Sequence, residues 1–207
     1  MGVDIPTVWK AIIIAVVSYL LGSVNFAVIF SQAFLHKDIR TMGSGNAGTT
    51  NALRVLGVKR TIPVFLGDIL KGVLAAVIGS WMGQDGQLIA LFFAILGHTY
   101  PLYYGFRGGK GILSTAAWIA VFDWRILAVV LLAFIVVVSL SRLVSLGSIT
   151  AAALVPMMML ILHPSPWWYT LVALVLCAGI IWLHRGNIRR LIDGTEGRSS
   201  FHHKEDK

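Results

Sequence analysis

Residues 124–141 read Trp-Arg-Ile-Leu-Ala-Val-Val-Leu-Leu-Ala-Phe-Ile-Val-Val-Val-Ser-Leu-Ser, and beyond Arg125 the run carries no charge. A hydrocarbon core about 30 Å thick asks for about 20 mostly apolar residues, because a helix rises about 1.5 Å per residue. This stretch meets that demand, whereas a water-soluble fold would have to cover it on every side. Working outward, the segments 8–34, 61–82, 87–104, 111–122, 146–162 and 166–184 are apolar in the same way. The sequence therefore predicts an all-α fold, a polytopic transmembrane helical bundle of seven spans. Its shortest member, 111–122, spans only by borrowing flanking residues or tilting into a protein-lined niche, since unpaired backbone cannot face lipid. Six spans are the alternative. The first segment is too long for a signal-peptide core and is followed by no cleavage pattern, so it is read as retained.

Composition agrees with this reading. Of 207 residues, 57% are apolar or aromatic and 13% charged, against about 45–50% and about 25% in soluble domains. Residues 1–198 are expected to form a single integral membrane domain, and 199–207 a polar, disordered tail whose His202 and His203 are solvated. The lone Cys177 excludes an internal disulfide. A formal charge of +8 would fit nucleic acid, but the placement of the basic residues favours membrane orientation instead. Seven spans put Lys37, Arg40, Arg54, Lys59 and Arg60, then Arg107 and Lys110, then Arg142, then Arg185, Arg189, Arg190, Arg198, Lys204 and Lys207 on one side. Only Lys10 and Arg125 fall on the other, and Lys71 lies within a span. The rich side is then cytoplasmic, with the N-terminus outside and the C-terminus in the cytoplasm.

Polar chemistry gathers in the loops of that same side. Gly43-Ser44-Gly45-Asn46-Ala47-Gly48-Thr49-Thr50-Asn51 reads as a glycine-rich turn feeding a short helix that stops at Gly57, with Arg54 one turn inside. Glycines let successive N–H groups turn inward, and a helix N-terminus adds unpaired donors, so the stretch suits a phosphate. The plainer reading is a loop capped by Thr49 or Thr50. The second loop, Gly105-Phe106-Arg107-Gly108-Gly109-Lys110-Gly111, also looks built for an anion. It is not a Walker P-loop: Tyr104 stands at the first glycine position, and Gly111 follows the lysine where Ser or Thr belongs. The last span runs into His184-Arg185-Gly186-Asn187-Ile188-Arg189-Arg190, with Gly194 and Glu196 beyond. On a continuing helix His184 and Asn187 share a face.

Other polar residues carry structural readings. Asp68 and Lys71 lie inside a span, where each charge costs about 2.5–3.5 kcal/mol on insertion scales, so a structural ion pair at i, i+3 is the first expectation and a substrate contact the second. His98 reads as a bonded structural residue. Ser148 offers a donor, although serine in a membrane helix commonly bonds its own backbone.

Taken together, these segments resemble the bacterial acyl-phosphate-dependent glycerol-3-phosphate acyltransferase family over nearly the whole chain. The resemblance rests on Asp38-Ile39-Arg40 before Gly43-Ser44-Gly45-Asn46, Gly48, Thr50, Asn51 and Arg54; on Gly97-His98 and Pro101 before Phe106 and Gly108-Gly109-Lys110-Gly111; and on His184-Arg185, Asn187-Ile188, Arg190-Leu191, Gly194 and Glu196. Thr49 departs from it, standing where a small apolar residue is usual, and Ser114 stands where Thr is common. The resemblance implies transfer of a fatty acyl group from acyl phosphate to glycerol 3-phosphate, giving lysophosphatidic acid and phosphate, the first acylation of phospholipid synthesis. It also implies a bacterial cytoplasmic (inner) membrane location with the active site on the cytoplasmic face. His184, Asn187 and Lys110 are the expected catalytic residues. Ser44, Gly45, Asn46, Gly48, Thr50, Asn51, Arg54, Gly108, Gly109, Ser148, Arg190 and Glu196 are expected to bind substrate. The turn would take the acyl phosphate, and Arg54, Lys110, Ser148, His184 and Asn187 the glycerol 3-phosphate. No cofactor, metal, nucleic acid or obligate protein partner is expected, only the two substrates and membrane lipid. The competing reading is a transporter or channel for phosphate-bearing anions, which would need matching polar clusters on the opposite face.

Overall fold

The computed structural model describes residues 7–198. The tail 199–207, with its two histidines, lies outside the described residues. Among these the chain is helical: α1 (Thr7–Ser23), α2 (Phe26–Leu35), α3 (Thr49–Gly79), α4 (Gly83–Thr99), α5 (Ile112–Phe122), α6 (Trp124–Ser141), α7 (Val144–Leu162), α8 (Trp168–Leu183) and α9 (Arg185–Ile192). Four helical stretches are long and apolar enough to cross a membrane: 7–35, 49–104, 124–141 and 144–162. A fifth is added if α8 and α9, bent by 58°, count as one span. Large apolar side chains on these helices face outward, Leu132 at 63% and Leu140 at 84% exposure, which is favourable against lipid and unfavourable against water.

The chain gathers into two compact units, Met1–Trp124 and Arg125–Lys207. In the first, the break between α1 and α2 comes from Asn25, an amide inside an apolar run whose Oδ1 accepts from Val28 N at 3.0 Å and caps α2. Helix α3 is not straight. Gly57 has φ 77° and ψ 174°, and Thr49 Oγ1 donates to Asp68 Oδ2 at 3.2 Å, although 19 residues of straight helix would separate them by about 28 Å. The segment before Gly57 therefore folds back on the segment after it. The expected cap by Thr49 or Thr50 is replaced by Gly48, which leaves the Thr49 hydroxyl for Asp68.

Small residues set the packing of this unit, as they do where helices meet in lipid without a hydrophobic driving force between them. A Cβ on Gly22 would overlap the Ala94 backbone, one on Gly97 the Tyr19 carbonyl, and one on Gly72 the Ser114 carbonyl. Helix α5 is the short fourth segment. Eleven residues reach about 16 Å, and the helix packs on α3 and α4, burying Trp118 with its Nε1 donating to Gln87 O at 2.9 Å. In the second unit α7 packs on α8, Gly147 admits Phe134 and Val138 of α6, and α9 follows α8 across the bend at His184.

Candidate active site

The glycine-rich turn is held from beneath by buried amides. Asn51 Oδ1 accepts from Ser44 N at 2.8 Å, while its Nδ2 donates to Met42 O at 3.0 Å and Ile39 O at 3.2 Å. Both of its N–H donors and one of its two acceptor positions are therefore used in bracing the turn. Asn25 Nδ2 donates to Ala47 O at 3.2 Å. This bond fixes the Ala47–Gly48 peptide, whose two residues are both buried. Gly43 and Gly45 take φ of 59° and 72°, a region that costs other residues dearly. Ser44, Gly45, Thr50 and Arg54 are exposed and Asn46 half-buried. The result is a braced turn that exposes Ser44, Gly45 and Thr50 beside the start of α3.

The second loop departs from its expected role. Gly108 N donates to Thr99 O and Gly109 N to His98 O, each at 3.0 Å, so these two donors satisfy the last carbonyls of α4 and are not offered to an anion. The glycines are needed for closeness: a Cβ on Gly108 would overlap His98 O, and one on Gly109 would overlap His98 Nε2 and lie 2.7 Å from Ala47 O. The charges this loop contributes are Arg107, exposed, and Lys110, half-buried and already engaged. Arg40 ties the two loops together, donating to Tyr104 O and Arg107 O while gripping Asp38 through Nε and Nη2. The hydrogen bond from Arg40 holds the Asp38 carboxyl below its usual range, and the same bond raises Arg40.

In the second unit His184 is buried at the bend between α8 and α9, so it shares no continuing helix with Asn187. The apolar run ends at Leu183, and the imidazole closes on its own preceding turn, Nδ1 lying 2.8 Å from Ile180 O. A carbonyl only accepts, so Nδ1 carries the proton and Nε2 the lone pair in the neutral ring. After α9 the chain turns at Gly194, with φ 69°, and Glu196 returns to accept from Asn187 Nδ2 at 2.6 Å and Arg190 Nε at 2.7 Å. Burial raises the Glu196 carboxyl, but bonds from Asn187 and Arg190, with the buried Ser145 hydroxyl close by, hold it below the usual value. Ser148 donates to Val144 O at 3.0 Å, the backbone bond expected of a serine in such a helix.

Sequence reading missed two features. Asn25 was visible only as an amide in an apolar run. The Asp68–Lys71 pair, 2.9 Å apart, was expected, but its extension to His98, 2.7 Å from Lys71 Nζ, was not.

Residues 12–194 match the family profile of glycerol-3-phosphate acyltransferase. The chain belongs to that family. The acyltransferase is 41% identical to the glycerol-3-phosphate acyltransferase of Syntrophomonas wolfei, over 88% of this chain and 94% of that one. It is 43% identical to that of Halalkalibacterium halodurans, over 87% and 91%. Its fold is similar to the crystal structures of PlsY, an integral membrane glycerol 3-phosphate acyltransferase, at 33% identity. The glycerol 3-phosphate form gives a TM-score of 0.84, covering 92% of this chain and 96% of that one. The lysophosphatidic acid form gives 0.80, covering 92% and 95%. The protein is thus a multi-pass integral membrane enzyme of phospholipid synthesis.

Proposed function

We propose that the enzyme transfers the acyl group of a long-chain acyl phosphate to glycerol 3-phosphate, forming lysophosphatidic acid and inorganic phosphate. The glycerol 3-phosphate hydroxyl attacks the acyl carbonyl, the new ester C–O bond forms, and the bond to phosphate breaks with its electron pair leaving on phosphate. The observation that carries this reading is the turn at 43–51, braced by Asn51 and Asn25, which exposes Ser44, Gly45 and Thr50 beside the start of α3. Acyl phosphate is already activated, so a site that fixes two anions and stabilises negative charge on the carbonyl oxygen suffices.

In this reading Ser44, Gly45, Asn46, Gly48 and Thr50 take the acyl phosphate, and Arg54, Lys110, Ser148, His184 and Asn187 the glycerol 3-phosphate. Asn51, Gly108, Gly109, Arg190 and Glu196 shape these elements. The hydroxyl proton passes to His184 Nε2 or to a substrate phosphate, whose second pKa near 6 leaves it basic at neutral pH. Residues 1–198 act as one domain of seven spans, N-terminus outside, in the bacterial inner membrane with the active site on the cytoplasmic face. The charge asymmetry supports this orientation, and the reversal of the chain between α3 and α4 at Gly83 supports counting 49–104 as two spans.

Purified protein given synthetic acyl phosphate and glycerol 3-phosphate should release phosphate and yield a butanol-extractable lipid. Acyl-CoA in place of acyl phosphate should give neither. Liposomes that accumulate glycerol 3-phosphate without lipid product would instead support transport.

A further inference from the structure

Beneath the two glycine loops lies a buried chain of ionisable groups that the reaction above leaves unused. Asp68 on α3, Lys71 one turn later and His98 on α4 are each no more than 3% exposed. Lys71 Nζ has three short contacts: Asp68 Oδ1 at 2.9 Å, Val24 O at 3.0 Å and His98 Nδ1 at 2.7 Å. An ammonium group has three protons and no lone pair, so while paired ionically with Asp68 it can only donate, to Val24 O and to His98 Nδ1. His98 Nδ1 must then accept, since two N–H groups cannot face each other at that distance, and its ring proton resides on Nε2. Nε2 is directed to the junction of the loops, where a Cβ on Gly109 would overlap it and approach Ala47 O. The same histidine's carbonyl accepts from Gly109 N. Thr49, the first residue of α3 after the phosphate turn, closes the circuit through its bond to Asp68.

We propose that His98 is a positioning residue for the acyl-phosphate turn. Lys71 and Asp68 lock it as the Nε2–H tautomer, and its ring sets the distance between Ala47 and Gly109. The buried Ala47–Gly48 backbone is thereby held in place, and with it the turn whose exposed members are Ser44, Gly45 and Thr50. This rests on the reading that the turn at 43–51 takes the acyl phosphate. It makes the Asp68–Lys71 pair part of the site's construction and not only a neutralised charge within a span.

Two substitutions separate this role from bulk structure. Glutamine places its terminal amide near the Nε2 position, whereas asparagine reaches only as far as Nδ1. With equal folding checked by thermal unfolding in detergent, His98→Gln should keep kcat/KM for acyl phosphate within about 5-fold and His98→Asn should lose about 50-fold, neither changing KM for glycerol 3-phosphate. Asparagine equal to or better than glutamine, or both at wild-type kcat/KM, would overturn the proposal. Independently, ¹⁵N-histidine NMR of the intact protein, with the His98 signal assigned by its loss in His98→Gln, should show protonated Nε2 and bare Nδ1. A proton on Nδ1 would overturn the lock by Lys71, whatever the kinetics. If wild-type enzyme releases no phosphate from acyl phosphate, the donor assignment fails, while the NMR result still decides the tautomer.

Discussion

Polar groups around the glycine loops reach far along the chain for their partners, while those around α9 find theirs nearby. Asn25 meets Ala47 across 22 residues, Lys71 meets His98 across 27 and Arg40 meets Tyr104 across 64. In the other unit His184 bonds its own preceding turn, and Glu196 reaches back 9 residues to Asn187 and 6 to Arg190. The first arrangement exists only after α1 to α4 have packed, and it uses side chains to fix a backbone. The second forms with its own helix and tail, and it orients side chains directly. Damage should therefore spread in the first region and stay local in the second.

The hardest test is Asn51→Leu, which orphans Ser44 N, Met42 O and Ile39 O together. A buried group left unpaired, as Ile39 O would be, costs about 1–3 kcal/mol, so the thermal unfolding temperature in detergent should drop, and with the turn unbraced activity should fall at least about 100-fold. Wild-type activity there would show that the turn does not need its brace. Next, His184→Ala should lower kcat about 100-fold with unfolding nearly unchanged, the usual scale for losing a general base. A loss under about 10-fold would assign the proton to a substrate phosphate. Third, Glu196→Gln should raise KM for glycerol 3-phosphate about 10-fold with little effect on acyl phosphate, since only charge-assisted bonds to Asn187 and Arg190 weaken.

Acid should produce a related effect. Glu196 is held below the ordinary value of 4.5, so its docking contributes fully above that value and is lost as pH falls through the lowered one. Limited proteolysis across pH 3 to 6 should expose the segment after α9 only at the acid end, a range set by that ordinary value and the downward shift. The smallest effect is expected from Arg40→Lys, which keeps the charge but loses the fork that joins Asp38 to Tyr104 O and Arg107 O, a change of about 3- to 10-fold in kcat/KM. An effect as large as that of Asn51→Leu would show that the link between loops matters as much as the brace within one.

Much of this was visible in the order of residues. The apolar runs marked the helices because transfer into lipid is summed residue by residue along a segment. The turn at 43–51 was legible because left-handed backbone at Gly43 and Gly45 calls for glycine locally. The stop at Gly57 was legible too. The direction of the chain after that stop was not, and this direction brings Thr49 to Asp68. Nor did the second loop's glycines disclose that their N–H groups serve α4, for a glycine that admits a ligand and one that admits a neighbouring carbonyl read alike. Local conformation and burial are properties of short segments, so sequence determines them. Which donor meets which acceptor at long sequence separation depends on helix packing, and the tertiary structure alone decided that Asn25, Arg40 and His98 build the loops while Ser44, Thr50 and Arg54 face outward.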